Sequence, residues 1–173
     1  MVRKKIQPEN TQANRAIFKP NYNTIFAPRG IYQADLMDME LVSHKKGNKN
    51  MEHGLVIMEI YSRYGWCYPL KDKTADTTTK AFMKWYAYVI KHGKQVTEII
   101  TDDGTEFKAS THKWMIANNI KHKVAGPYEK TTMGIIERWI RTLRMTMRDM
   151  WSENKNFSWV PYIDDIVKEY NNT

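Results

Sequence analysis

The chain has 173 residues and 42% hydrophobic residues, enough for one domain with a real core and too apolar a composition for a disordered chain. No run approaches the roughly 18 apolar residues of a membrane span, and the basic start Met1-Val2-Arg3-Lys4-Lys5 is followed by no apolar stretch of a secretory signal. The net charge of +8 favours a polyanionic partner, and the single cysteine, Cys67, excludes an internal disulfide. In Trp66-Cys67-Tyr68 it reads as a small buried hydrophobe.

Residues 1–30 are polar, carry Pro8, Pro20 and Pro28, and read as an extended arm or linker ahead of a core over 31–173. Tyr32 to Met39 reads as a strand, and 43–52 as a charged loop whose Lys45, Lys46 and Lys49 are expected to be solvated. Gly54 to Tyr61 and Tyr64 to Leu70 are two strands so closely joined that they predict a hairpin. A helix is expected from Thr74, a good N-cap, to Lys91, with Thr78, Phe82, Trp85 and Val89 on one face. Val96 to Thr101 is a short strand broken by Asp103-Gly104, and a helix follows to about Asn118. Ile120 to Val124 is a strand, and 126–132 a polar loop expected to be poorly ordered without a ligand. Met133 to Trp151 is a long helix and Phe157 to Tyr170 a last one. Five strands, three of them meandering and two alternating with helices, predict an α/β fold with a mixed sheet flanked by helices.

Three carboxylates stand out by placement. Asp35 lies inside the first strand between apolar neighbours, where a charge is costly unless paired or bound to metal. Asp102 ends the fourth strand at a change of direction, where open α/β sheets place ligands. Glu137 sits in the first turns of the long helix. Each alone has a plain reading, as a loop acceptor, a turn residue or a helix-capping glutamate. Their joint placement is what singles them out: the first and fourth strands can be neighbours, and the long helix can pack beside them. Converging carboxylates suit magnesium or manganese, and a pair of such ions stabilises both the attacking and the leaving oxygen of a phosphoryl displacement.

Tyr32-Gln33-Ala34-Asp35, Ile100-Thr101-Asp102-Asp103-Gly104-Thr105-Glu106-Phe107 and Gly134-Ile135-Ile136-Glu137-Arg138 resemble the three blocks of the retroviral integrase core superfamily. Glu137 follows Asp102 by 35 positions, close to that family's spacing. Within it, the segments Gln33 to Met39, Tyr61 to Trp66, Pro69 to Thr74, Glu137 to Arg144 and Tyr170 to Thr173 resemble the integrases of Maverick/Polinton elements and virophages. The resemblance covers about 31–173. It implies a ribonuclease-H-like fold and a metal-binding, catalytic triad of Asp35, Asp102 and Glu137 served by two Mg2+ or Mn2+ ions. It further implies 3′-end processing and strand transfer, with element-end and target DNA as partners, a homodimer, and an intracellular place in the nucleus or an element's nucleoprotein complex. A nuclease of the same fold and an inactive core kept as a DNA-binding scaffold are the alternatives.

Two departures fall beside the site: Asp103 and Ile140 stand where the family pattern commonly has Asn. The zinc-binding N-terminal module of such integrases is not legible either. His44, His53, His92, His112 and His122 show no pairing at ligand spacing, so no zinc is expected, and the chain reads as a fragment of a longer protein. Trp85, Trp114 and Trp139 are expected in the core.

From Glu137, steps of four, three and four reach Arg141, Arg144 and Arg148. At about 100° per residue these lie within roughly 60° of one another on the helix. Ile136, Ile140, Leu143, Met147 and Trp151 share an adjacent face that must be buried. Glu137 with Arg141 is also an ordinary i,i+4 pair. Three arginines aligned with one carboxylate exceed that need, and the resemblance places DNA-contacting basic residues at Arg141 and Arg144.

Overall fold

A computed structural model describes residues 27–126 and 133–172. The arm expected over 1–30 lies outside them except for 27–30, as does the loop from 127 to 132. Strand β1 spans Ile31–Asp38, and a four-residue helix, α1, Glu40–Ser43. β2 (His53–Glu59) and β3 (Gly65–Leu70) form the expected hairpin. Helix α2 (Ala75–Lys91) is capped by Thr74, whose side chain accepts the Thr77 N–H. β4 (Glu98–Thr101) leads through a 3₁₀ turn at Thr105–Phe107 to α3 (Ser110–Ala117), and β5 covers Lys121–Val124. The long helix α4 spans Gly134–Asn154 and α5 spans Ile163–Asn171.

The sheet order is β3-β2-β1-β4-β5. β1 pairs antiparallel with β2 and parallel with β4, and β4 pairs parallel with β5. The first and fourth strands are thus neighbours, as the candidate site requires. Their parallel pairing ends at Gln33↔Ile100, so Asp35 and Asp102 both lie beyond it, where the two strands part.

Alternation along β1 sorts its side chains between two cores. Tyr32 and Ala34 join Leu55, Ile57, Phe82 and Trp85 under α2 and α3. Met37 joins Val56, Met58, Cys67, Ile136, Trp139 and Leu143 under α4 and α5. Gln33 and Asp35 lie on that second face by the same alternation. The buried face of α4 is the expected one: Ile136, Ile140, Leu143 and Met147 are buried together with Trp139, and Trp151 is half-buried. Trp85 is fully buried, Trp114 packs against its cluster, and burial holds the free Cys67 thiol far above its usual range.

Two expectations on element bounds are corrected. The helix after Asp103-Gly104 is interrupted, because Ala109 takes a positive φ of 47° between the 3₁₀ turn and α3. The last helix starts at Ile163 and not near Phe157. Buried Asn48 competes for that backbone: its amide donates to the carbonyls of Val42 and Phe157, and its Oδ1 accepts from the N–H groups of Trp159 and Val160. Three of these four main-chain groups lie at 157–160, where the Asn48 side chain takes the place of a helical turn's hydrogen bonds. Lys45, Lys46 and Lys49 are exposed.

Candidate active site

Asp35 enters from β1, two residues beyond the end of the β1–β4 ladder. Its Oδ1 accepts the Leu36 N–H at 2.7 Å, which favours ionisation, but burial outweighs that bond and raises the pKa from 3.8 to about 6. The negative charges of Asp102, Glu137 and Glu106 push it the same way. Four carboxylates therefore share one electrostatic neighbourhood, three of them the residues singled out in the sequence.

Asp102 is exposed at the end of β4. Its Oδ1 accepts the Gly104 N–H at 3.0 Å, and its carbonyl accepts the Thr101 hydroxyl at 2.8 Å. A Cβ at Gly104 would stand 2.7 Å from the Glu106 carboxyl carbon, so the flexible Glu106 carboxylate folds over this turn. Asp103 forms an ion pair with Lys108 at 3.0 Å, so the charge added where the family pattern has Asn is paired with a cation.

Glu137 is exposed in the first turn of α4. With Asp35 it lines a groove whose other walls are Leu36, Ile140, Arg141, Arg144, Met145 and Arg148. All three arginines of the sequence analysis stand in that groove, and Arg144 donates to the Asp38 carbonyl at 3.3 Å. Ile140, the second departure, is buried and supplies an apolar wall. Asp102 lies beside this groove and not among its lining residues.

Among the described residues, no group of three or more His, Cys, Asp or Glu side chains is gathered at metal-holding distance. The donor chemistry nonetheless fits a hard divalent cation. Asp35, Asp102 and Glu137 offer only carboxylate oxygens, and burial, with the neighbouring negative charges added to it, keeps a proton on Asp35 to an unusually high pH, a state that a cation relieves.

Two features escaped the sequence reading. His112 and His122, ten positions apart, stand together with their Nδ1 atoms 2.9 Å apart, a contact that their spacing in the sequence does not signal. Thr101 Oγ1, donating to Asp102, meets His122 Nε2 at 2.9 Å. Burial and then the nearby His112 lower the His122 pKa. The other feature is Gln33, only 1% exposed, whose Oε1 accepts the Ile136 N–H at 2.9 Å. No local period signals either contact; each depends on which elements become neighbours.

The mixed five-stranded sheet with helices on both faces defines a ribonuclease-H-like α/β domain. The integrase core domain model matches residues 27–130, and the chain belongs to that family. A transposon-derived protein of Caenorhabditis elegans is 28% identical over 130 residues, which cover 75% of this chain and 44% of that protein. The retrovirus-related Pol polyprotein from transposon 412 of Drosophila melanogaster is 28% identical over 129 residues, 74% of this chain and 10% of the polyprotein. The chain thus spans less than half the length of either relative. A chain of the simian T-cell lymphotropic virus intasome, solved in complex with PP2A regulatory subunit B56 gamma, superposes with a TM-score of 0.67 at 19% identity. That match covers 81% of this chain and 47% of the other, and shows a shared fold.

Proposed function

We propose that the domain is the catalytic core of a DDE-type integrase, which trims the 3′ ends of a mobile element's DNA and joins them to target DNA. Membership of the integrase core family supports a polynucleotidyl transferase role. The observation that carries the finer reading is the groove that sets Asp35 and Glu137 against Arg141, Arg144 and Arg148, with Asp102 charged beside it. A carboxylate pair alone would repel a DNA strand. Three guanidinium groups on the same edge hold phosphates by charge and by bidentate hydrogen bonds.

Asp35, Asp102 and Glu137 would hold two Mg2+ or Mn2+ ions, which when bound activate the attacking oxygen and stabilise the leaving one. The protein's own part is positional. Arg141, Arg144 and Arg148 fix the phosphodiester backbone along α4, and Ile140 excludes water from the groove floor. Lys108 balances the charge of Asp103 beside Asp102. On this reading the core occupies 31–173 and works as a homodimer inside a nucleoprotein complex in the cell. The order of motifs is most like that of Maverick/Polinton and virophage integrases.

A strand-transfer assay tests the proposal: labelled element-end duplex, target plasmid, and Mg2+ or Mn2+, with full-length protein as reference. The account expects joined products from the wild type, and none from Asp102→Asn at unchanged thermal stability. Cleavage without joining would instead indicate a nuclease, and DNA binding without either product an inactive scaffold.

A further inference from the structure

Helix α4 carries Glu137 in its first turn yet has no cap of its own. Its N-cap position is Met133, which makes no side-chain capping bond. The first amides of a helix lack intrahelical acceptors, and a capping side chain ordinarily takes the N–H of the second or third helical residue. Counting from Gly134, the third is Ile136. Its N–H is held by Gln33 Oε1 at 2.9 Å, a contact between residues 103 positions apart. Gln33 is buried on β1, and its side chain lies on the α4 face because residues 33, 35 and 37 alternate to the same side.

We infer that Gln33 is a positioning residue that caps α4 from the sheet and so fixes Glu137 relative to Asp35. The inference rests on the proposed carboxylate site. Gln33 precedes Asp35 by two residues on one strand, and the amide that it holds precedes Glu137 by one. One side chain therefore ties together the two backbone segments that present these carboxylates. Met37, Met58 and Ile136 belong to the apolar core on this face, and a methionine at position 33 would match a glutamine in length. Burial alone therefore gives no reason for an amide at this position. Its acceptor oxygen meets an orphan donor that the helix's own cap leaves open.

The test compares Gln33→Met, which keeps the length and removes the acceptor, with Gln33→Glu, which restores an acceptor oxygen. The full chain is titrated with Mn2+ and binding followed by calorimetry, with hydrogen exchange at the Ile136 amide read alongside. Gln33→Met is expected to weaken Mn2+ binding by roughly ten-fold or more, as loss of outer-shell support does. It is also expected to speed exchange at Ile136 while amides in β2 and β3 keep their protection. Gln33→Glu is expected to recover both. If Gln33→Met does not fold, Gln33→Asn, which withdraws the amide by one methylene, takes its place with the same expectation. Unchanged Mn2+ affinity in the Met or Asn variant, or no recovery in the Glu variant, overturns the inference, provided Glu137→Gln itself weakens binding. If Glu137→Gln also binds Mn2+ like the wild type, the carboxylate site falls, and with it the basis of the inference.

Discussion

Replacing Asp35 with Asn should stabilise the metal-free protein at neutral pH, although it removes a candidate metal ligand. In the folded chain the Asp35 carboxyl ionises at about 6, against 3.8 ordinarily, chiefly because it is buried and also because Asp102, Glu137 and Glu106 surround it. A raised carboxylate pKa means that the folded state binds the proton more tightly than the unfolded one. The stability from that proton is therefore fully present below about pH 4 and is lost as pH rises through about 6. At about 1.4 kcal/mol per pH unit the full effect is about 3 kcal/mol. Asp35 is partly exposed, and water relieves part of the penalty, so about 1–3 kcal/mol is the working range. For a chain of this size that is roughly 3–10 °C in Tm. Asn keeps the acceptor for the Leu36 N–H and loses only the charge. Thermal melts in EDTA from pH 4 to 8 should show the two proteins converging at the acid end and the variant melting higher above pH 6. Added Mn2+ should raise the wild type and leave the variant behind. Parallel pH profiles, with the variant's advantage over the wild type no larger at pH 7.5 than at pH 4, would refute the buried, repelled carboxylate on which the site depends.

Substituting Arg141 and Arg144 together with Glu should weaken binding to DNA of any sequence. The log–log salt slope should fall by about one unit per lost phosphate contact. Unfolding should change little, since the one bond lost among the described residues, from Arg144 to the Asp38 carbonyl, is exposed; an unchanged affinity and slope would move the DNA grip elsewhere, first to Lys45 and Lys46. Gly65→Ala places a Cβ within 2.2 Å of the Trp139 ring and should cost roughly 1–3 kcal/mol or more in urea denaturation. An unshifted midpoint would contradict the packing of α4 on β3. Sedimentation at about tens of micromolar should reveal a dimer, and a purely monomeric boundary at that level, where weak pairs persist, would exclude the homodimer for this chain.

Local sequence carried much of the site, and the reasons are physical. Asp35 is conspicuous because a charge amid a strand's apolar residues has a desolvation cost that demands a partner. Asp102 marks a strand end with its own turn, and the α4 face can be read from a 3.6-residue period that holds for Ile136, Ile140, Leu143 and Met147. What could not be read depends on tertiary neighbours. Gln33 looks like an ordinary polar residue until α4 is laid across β1, and His112 meets His122 only when α3 packs beside β5. Asn48 sits in what reads as a charged loop, yet it shapes the turn that delays α5 to Ile163. Asp102 stands outside the groove lined by Asp35 and Glu137, a detail that spacing in the sequence does not carry.

Asp35, Asp102 and Glu137 are proposed to come together on a shared metal centre, although among the described residues they are not gathered at metal-holding distance. Anomalous scattering from a crystal of the full chain grown with Mn2+ and element-end DNA tests it directly. The account predicts manganese peaks with carboxylate oxygens of all three residues in the inner shell, at about 2.1 Å as for magnesium. Ordered density at saturating Mn2+ with the three carboxylates apart, or a peak held by other side chains, would contradict it.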